Sequence, residues 1–234
     1  MGDTIIREVA RDVWIFSRPF ARYGLFPVGG RSTAIRLRSG GLWVLASTPL
    51  DTETKAKLDE LGKVKYIVSP DIVHHLYLSE FKKAYPEAKL LGVDGTSSRI
   101  GDKGLEFDGV WGKDAPNTKY GFEDDHCFFS GFKNKDVAFF HPQSKTLIQA
   151  DLLFNLPCYE QYSNSKMPVL GNLKPSLWFQ QRIVSNLSTN TAAMKRDATT
   201  VANWDFQRII PCHGDVVETD GNKVWREVYK AFIA

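Results

Sequence analysis

The chain has 234 residues, of which 43% are hydrophobic and 24% charged, and it carries a formal net charge of +3. These values are ordinary for a soluble globular protein with a substantial core. The basic residues are scattered, in groups no denser than Lys63-Val64-Lys65 and Lys82-Lys83, which excludes a nucleic-acid footprint.

Residues 12–16 (DVWIF) predict a strand. The stretch that follows, SRPFARYGLFPVGGR, is so rich in Pro, Gly and Arg that it predicts a loop without regular structure, of the kind that often serves function. Residues 32–37 alternate as a strand, and Gly40-Gly41 predicts a hairpin turn into residues 42–45. Thr52 is the candidate N-cap of a helix over TETKAKLDEL, with Gly62 as its stop signal. A strand over 64–68 leads through Ser-Pro-Asp to His74-His75, at the mouth of a helix with Leu78, Phe81 and Ala84 at spacing three. Residues 89–93 predict a short strand, and 94–118 resist assignment. Residues 136–141 and 145–150 predict a hairpin, with Asp151 at its end. Residues 159–172 read as an irregular loop, 175–186 and 191–204 as amphipathic helices, and 206–211 as a strand running into Cys212-His213-Gly214-Asp215. A last helix is expected over 222–232. Strand–helix alternation with hairpins mixed in predicts α/β layers around mixed sheets, with residues 1–234 as one domain.

No apolar run approaches the length of a bilayer span, the first residues lack a secretory apolar core, and Ile6 breaks the myristoylation pattern. Three widely spaced cysteines, Cys127, Cys158 and Cys212, match no disulfide or zinc-ribbon spacing and predict reduced thiols. A cytoplasmic protein is the expectation.

Three features share one topological habit. His74-His75, Asp151 and His213 each follow a strand, and side chains beyond strand C-termini in α/β proteins often converge on one rim. Imidazole and carboxylate suit Zn²⁺, Fe²⁺ or Mn²⁺. Each has a plainer reading alone: the His pair as surface residues at a helix start, Asp151 as an N-cap, His213 as a packing residue. Asp215 is a candidate to orient the second nitrogen of His213. His141 reads as a surface turn residue, and His126 has no assigned role.

The order of helix-mouth His pair, TLIQADLLF hairpin end and IIPCHGD resembles the metallo-β-lactamase superfamily, as do DVWIF, GGRSTAIRL and GLWVLASTPLD near the start. The resemblance covers nearly the whole chain. It implies a four-layer αββα sandwich of two mixed β-sheets flanked by helices, with the site at one edge of the sheets. PF-x-R-x-G, GGRST and the Pro-x-x-x-His-His loop resemble an uncharacterised branch of that superfamily. The family's His-x-His-x-Asp-His loop is degenerate here: with His75 on the last His, His74 falls on Asp, and Pro70 and Ile72 fall on the first two His. Phe132 sits near the place of the His before the hairpin. What remains implies one divalent ion on His74, His75, Asp151 and His213, zinc suiting this set best, with Fe²⁺ or Mn²⁺ as alternatives.

Such an ion polarises a substrate oxygen or acidifies a bound water, which implies hydrolysis of an ester, lactone or thioester of a small metabolite. Asp71 is the candidate proton handler beside Asp151. Arg18, Arg22 and Arg31 lie in the loop expected to flank the site, where they would bind a substrate carboxylate by paired hydrogen bonds; Phe20 and Phe26 have core packing as the simpler fate. The 159–172 loop with Trp178 and Phe179 is a candidate apolar lid. Two alternatives stay open: a mononuclear iron enzyme of oxygen chemistry, and a non-catalytic or small-molecule-binding protein on a degenerate scaffold. The expected partner is a small molecule, not nucleic acid or membrane, and the oligomeric state stays open.

Overall fold

A computed structural model describes residues 4–102, 104–115, 118, 120–122, 125–165 and 178–233. In chain order its elements are β1 (Ile5–Ala10), β2 (Val13–Arg18), β3 (Ala21–Arg22), β4 (Phe26–Pro27), β5 (Gly30–Arg36), β6 (Leu42–Leu45), α1 (Thr52–Leu61), β7 (Val64–Val68), α2 (Leu78–Ala84), β8 (Lys89–Val93), β9 (Gly109–Trp111), β10 (Asp125–Phe128), β11 (Val137–His141), β12 (Thr146–Gln149), α3 (Tyr159–Tyr162), α4 (Trp178–Leu187), α5 (Thr191–Ala202), β13 (Arg208–Pro211), α6 (Gly221–Val228) and α7 (Lys230–Ile233). One sheet runs β1-β2-β5-β6-β7-β8-β9 and a second runs β10-β11-β12-β13. Both are mixed: β6 to β9 pair in parallel, as do β12 and β13, while the remaining neighbours pair antiparallel.

The layering follows from side-chain alternation. Successive residues of a strand face opposite sides of its sheet, and here both sides are apolar. Ile35, Trp43 and Leu45 join the cluster between the sheets, while their neighbours Ala34, Leu42 and Val44 join the cluster under α1 and α2. In the second sheet Val137, Phe139, Ile148 and Ile210 face inward, and Ala138, Phe140, Leu147 and Ile209 face the C-terminal helices. The result is the expected αββα sandwich. Trp43 anchors its centre, with ring centroids 5.1 Å from Phe122 and 4.7 Å from Phe139 of the opposite sheet.

Several elements differ from their sequence signals. β1 is an additional edge strand that IIREVA does not advertise; it reaches β2 through a turn with Asp12 at φ 65°. Asp51, not Thr52, caps α1, its carboxylate accepting the Thr54 N–H at 2.8 Å. The segment expected to lack regular structure folds into the β3–β4 hairpin. Its turn holds Tyr23 at φ 55° and Gly24 at φ 69°, the positive-φ pair that suits tight hairpins, and Leu25 N–H donates to the Arg22 carbonyl at 3.1 Å. β9 and β10 occupy stretches without a clear pattern, α3 interrupts the 159–172 loop, and the last helix breaks into α6 and α7. Residues 166–172 of that loop, and the start of the helix expected from 175, lie outside the described residues. The three cysteines are buried and free. Among the described residues no helix is long and apolar enough to cross a membrane.

Register places the site. β12 and β13 end side by side, with Gln149 opposite Pro211, so Asp151 and His213 both lie two residues past the last pair. β7 ends at Val68 in the facing sheet, and its exit loop brings His74 to the same edge. Phe139→Ala, which opens a cavity under Trp43, is expected to lower stability by about 3–5 kcal/mol, measured as a fall in the urea midpoint at unchanged slope.

Candidate metal centre

Three side chains meet at this edge. His74, Asp151 and His213 present ligand atoms that all lie within 4.8 Å of one another. The two imidazole Nε2 atoms are 3.2 Å apart. Asp151 Oδ1 lies 3.5 Å from His213 Nε2 and 3.9 Å from His74 Nε2.

Each group is held from behind. Asp71 makes a tight turn around the start of the His74 loop: its Oδ1 accepts the Val73 and His74 N–H groups at 2.7 and 2.8 Å, and its Oδ2 pairs with His74 Nδ1 at 2.8 Å. His213 Nδ1 donates to the Gly29 carbonyl at 2.6 Å. Phe20 and Phe154 stack on the His213 ring at 6.0 and 5.6 Å, 21° and 16° from parallel. Asp151 Oδ2 accepts from Asn134 Nδ2 at 2.7 Å, and the Asp151 N–H donates to Asp136 Oδ2 at 2.6 Å.

A clamp fixes the strand end that carries His213. Arg31 Nη1 donates to the Pro211 and Gly214 carbonyls at 2.7 and 2.6 Å, its Nε to Ser17 Oγ at 2.9 Å and its Nη2 to Glu160 Oε1 at 3.1 Å. Gln161 of α3 donates to the Cys212 carbonyl at 2.9 Å and accepts the Gly214 N–H at 3.0 Å. Gln161 also lies across Gly29, where an added Cβ would meet its Oε1 at 1.9 Å, so only glycine admits the clamp.

The tautomers follow from these partners. Both Nδ1 atoms face oxygen acceptors, so both carry hydrogen there, and two Nε2 lone pairs point at each other. Asp151 Oδ1 is buried without a hydrogen-bond partner. Without a cation between them these atoms repel, and a proton relieves part of the conflict. Burial opposes charge on His74, but Asp71 and Asp151, the Asp71 hydrogen bond and Asp136 together outweigh it and raise its pKa to about 10. Burial and the charge on His74 push His213 down to about 3. Burial raises Asp151 to about 6. His74 therefore contributes stability that is full below pH 6.5 and disappears as the pH rises through about 10.

The donor set also fits a divalent ion. Two nitrogens 3.2 Å apart can share a centre at the usual metal–nitrogen length of about 2.0–2.1 Å, and the ion would take up the lone oxygen of Asp151. Both outer nitrogens already have the hydrogen-bond partners that orient ligating imidazoles.

No family model and no curated protein matches the sequence. Among solved structures, the chain resembles a metallo-beta-lactamase from Pseudomonas aeruginosa in its mono-zinc form, at TM-score 0.63 and 13% identity, over 100% of this chain and 98% of that one. A metallo-beta-lactamase from Hirschia baltica matches at TM-score 0.62 and 10% identity, over 99% and 98%. The metal-soaked flavodiiron core from Synechocystis matches at TM-score 0.71 and 13% identity, over 98% of this chain and 60% of that one. The chain has the metallo-β-lactamase fold. Identities of 10–13% carry the architecture and not the chemistry.

Within this fold the expected site residues divide. His74, Asp151 and His213 converge. His75 does not: it is half-buried and outside the cluster, because Asp71 turns His74 inward and the adjacent residue then projects elsewhere. Asp71, the candidate proton handler, is fully buried with both oxygens engaged on the His74 loop and does not line the cavity. Arg31 is 1% exposed and bonded through four of its N–H groups, so it belongs to the clamp and not to a substrate. Arg18 pairs with Asp51 at 3.4 Å. Arg22 alone of the three lines the cavity above the site. Asp215 does not reach His213; its Oδ1 accepts the Glu160 N–H at 2.8 Å. His141 is buried, its Nδ1 bonded to Ser144 Oγ, and not a surface residue. His126 packs on Trp111 and Phe139 away from the site.

The cavity holds about 380 Å³. Its floor is His74, Asp151 and His213, and its walls include Phe20, Arg22, Tyr23, Val73, Leu76 and Tyr77. Phe20 is thus a wall and not core, and Phe26 is 62% exposed. Trp178 and Phe179 are exposed and do not line the cavity. Asn134, Gln161, Phe154 and Tyr77 had no sequence signal: each is an ordinary residue type in an ordinary local context, made special by contacts far along the chain.

Asp71→Asn is expected to bring the His74 pKa down from about 10 toward that of an exposed imidazole, read by histidine NMR titration of metal-free protein. Gln161→Ala strips the Cys212 carbonyl of its donor and is expected to cost about 1–3 kcal/mol, read by urea unfolding.

Proposed function

We propose that this chain is a metal-dependent hydrolase working with a single ion held by His74, Asp151 and His213. One observation carries the reading: two imidazole Nε2 atoms and an unpartnered buried carboxylate oxygen converge at the floor of an open cavity. Among the described residues no other group of three metal-binding side chains occurs, which supports one ion. When bound, the ion would act as a Lewis acid toward a substrate oxygen and acidify a coordinated water.

The protein's own groups set the terms for that chemistry. Asp71 and the Gly29 carbonyl keep each imidazole in the tautomer that offers Nε2. Asn134 restrains one oxygen of Asp151 and leaves the other for the site. Phe20 and Phe154 shield the faces of His213 from water. Arg22 stands in the cavity wall as the group to meet a substrate carboxylate. The bond cleaved is an ester, lactone or thioester of a small molecule.

A second reading rests on the donor set itself. Two histidines and one carboxylate also form the facial set of mononuclear iron(II) enzymes, and this chain resembles a flavodiiron core.

Elemental analysis of protein purified without added metal tests both. About one equivalent of zinc is expected in the wild type, less than a tenth of that in Asp151→Ala and His213→Ala, and an undiminished content in His75→Ala. Iron in place of zinc selects the second reading. Equal metal in the wild type and both site variants removes the centre, leaving a non-catalytic scaffold.

A further inference from the structure

The lip of the cavity has an unusual composition. Seven large apolar side chains are exposed among the described residues; two of them line this cavity, and two more stand on the hairpin that carries one of those. Tyr23 (80% exposed) and Leu76 (63%) line it from two separate segments, and Leu25 (75%) and Phe26 (62%) stand on the same hairpin as Tyr23. Exposed apolar surface gathered at one place marks a site that something covers.

One charge sits within this apolar lip. Arg22 pairs with Phe26 across the hairpin, so the two side chains share a face, and its guanidinium lies 5.4 Å from the Tyr23 ring. Arg7, Arg18 and Arg31 all have carboxylate partners, whereas Arg22 makes no close ion pair among the described residues and acts on Asp151 only at longer range. Of the acids near the floor, Asp71 and Asp136 are fully buried and do not line the cavity, and Asp151 is the one carboxylate that does. The cavity therefore carries one guanidinium near its apolar lining residues Phe20, Tyr23, Leu76 and Tyr77, with Asp151 as its one carboxylate.

We propose that the cavity binds a small amphiphilic carboxylate, its anionic end on Arg22 and its hydrocarbon body among Phe20, Tyr23, Leu76 and Tyr77. The volume of about 380 Å³ is near the lower end for ligand sites and suits a short acyl or aryl acid, not a whole lipid. This rests on taking the cavity as the substrate site proposed above, and names the class of substrate that site would take.

The test is calorimetric titration of metal-free protein with acetate, butanoate, hexanoate, octanoate and octanol. Affinity should rise about fourfold per added methylene, the factor for burying one CH₂, until the cavity is full. Octanoate should bind at least about tenfold tighter than octanol. Arg22→Gln should abolish that preference while keeping the dependence on chain length, and the neutral Leu76→Asn should weaken the dependence on chain length while keeping the preference. Both residues are exposed, and unchanged circular dichroism checks that each variant folds. Acetate binding as tightly as octanoate, octanol binding as tightly as octanoate, or an unaltered preference in Arg22→Gln would each overturn the proposal. So would binding confined to anionic phosphatidylglycerol vesicles, or a lip covered by a second copy in sedimentation. Zinc content is measured separately. A protein that discriminates these acids but holds no metal defeats the hydrolase alone, and one that holds zinc without discriminating defeats this proposal alone.

Discussion

The site depends on a repulsion. Two imidazole nitrogens face each other at 3.2 Å with a buried carboxylate oxygen beside them, and every other polar atom of the three side chains is already engaged. A hydrophobic core would not hold such a set unless the surrounding structure imposed it, since an unsatisfied buried polar group costs about 1–3 kcal/mol. The arrangement is settled only by a positive charge at its centre, whether a proton shared by the histidines or a metal ion in its place. An ion must therefore displace that proton, and so metal affinity is linked to pH.

The rest of the fold supplies the imposition. Parallel pairing of β12 and β13 delivers Asp151 and His213 at one height, and the facing sheet delivers His74 across the interface. Arg31 joins the two sheets at this point: it rises from β5 in one and binds the Pro211 carbonyl at the end of β13 and the Gly214 carbonyl just beyond it in the other, with Glu160 balancing its charge. Burial lowers the pKa of the guanidinium, and the neighbouring Glu160 works against that. A buried charge with this many partners is costly to remove, because its partners are then left unsatisfied.

Much of this was legible in the sequence, for identifiable reasons. Strands such as 64–68 and the 136–150 hairpin have continuous apolar runs because both faces of their sheets are covered. Asp151 and His213 could be located because each follows a strong strand. The choice between His74 and His75 was not legible: it turns on how Asp71 binds the following backbone, a matter of angles invisible to spacing. Arg31 illustrates the converse failure. An arginine in a glycine-rich loop looks available, and only the folded chain reveals that β5 begins early enough to bury it. Gln161 carried no signal at all, since its partners lie some fifty residues away along the chain.

The aromatic rings around His213 have a consequence for traffic. Phe20 and Phe154 stack on the imidazole, Asp71 holds the Nδ1 side of His74, and Asn134 holds one oxygen of Asp151. Among the described residues, the cavity then offers a cation its approach to these three side chains. A molecule seated there would cork that route, so any ion held below would exchange more slowly while the chamber is full.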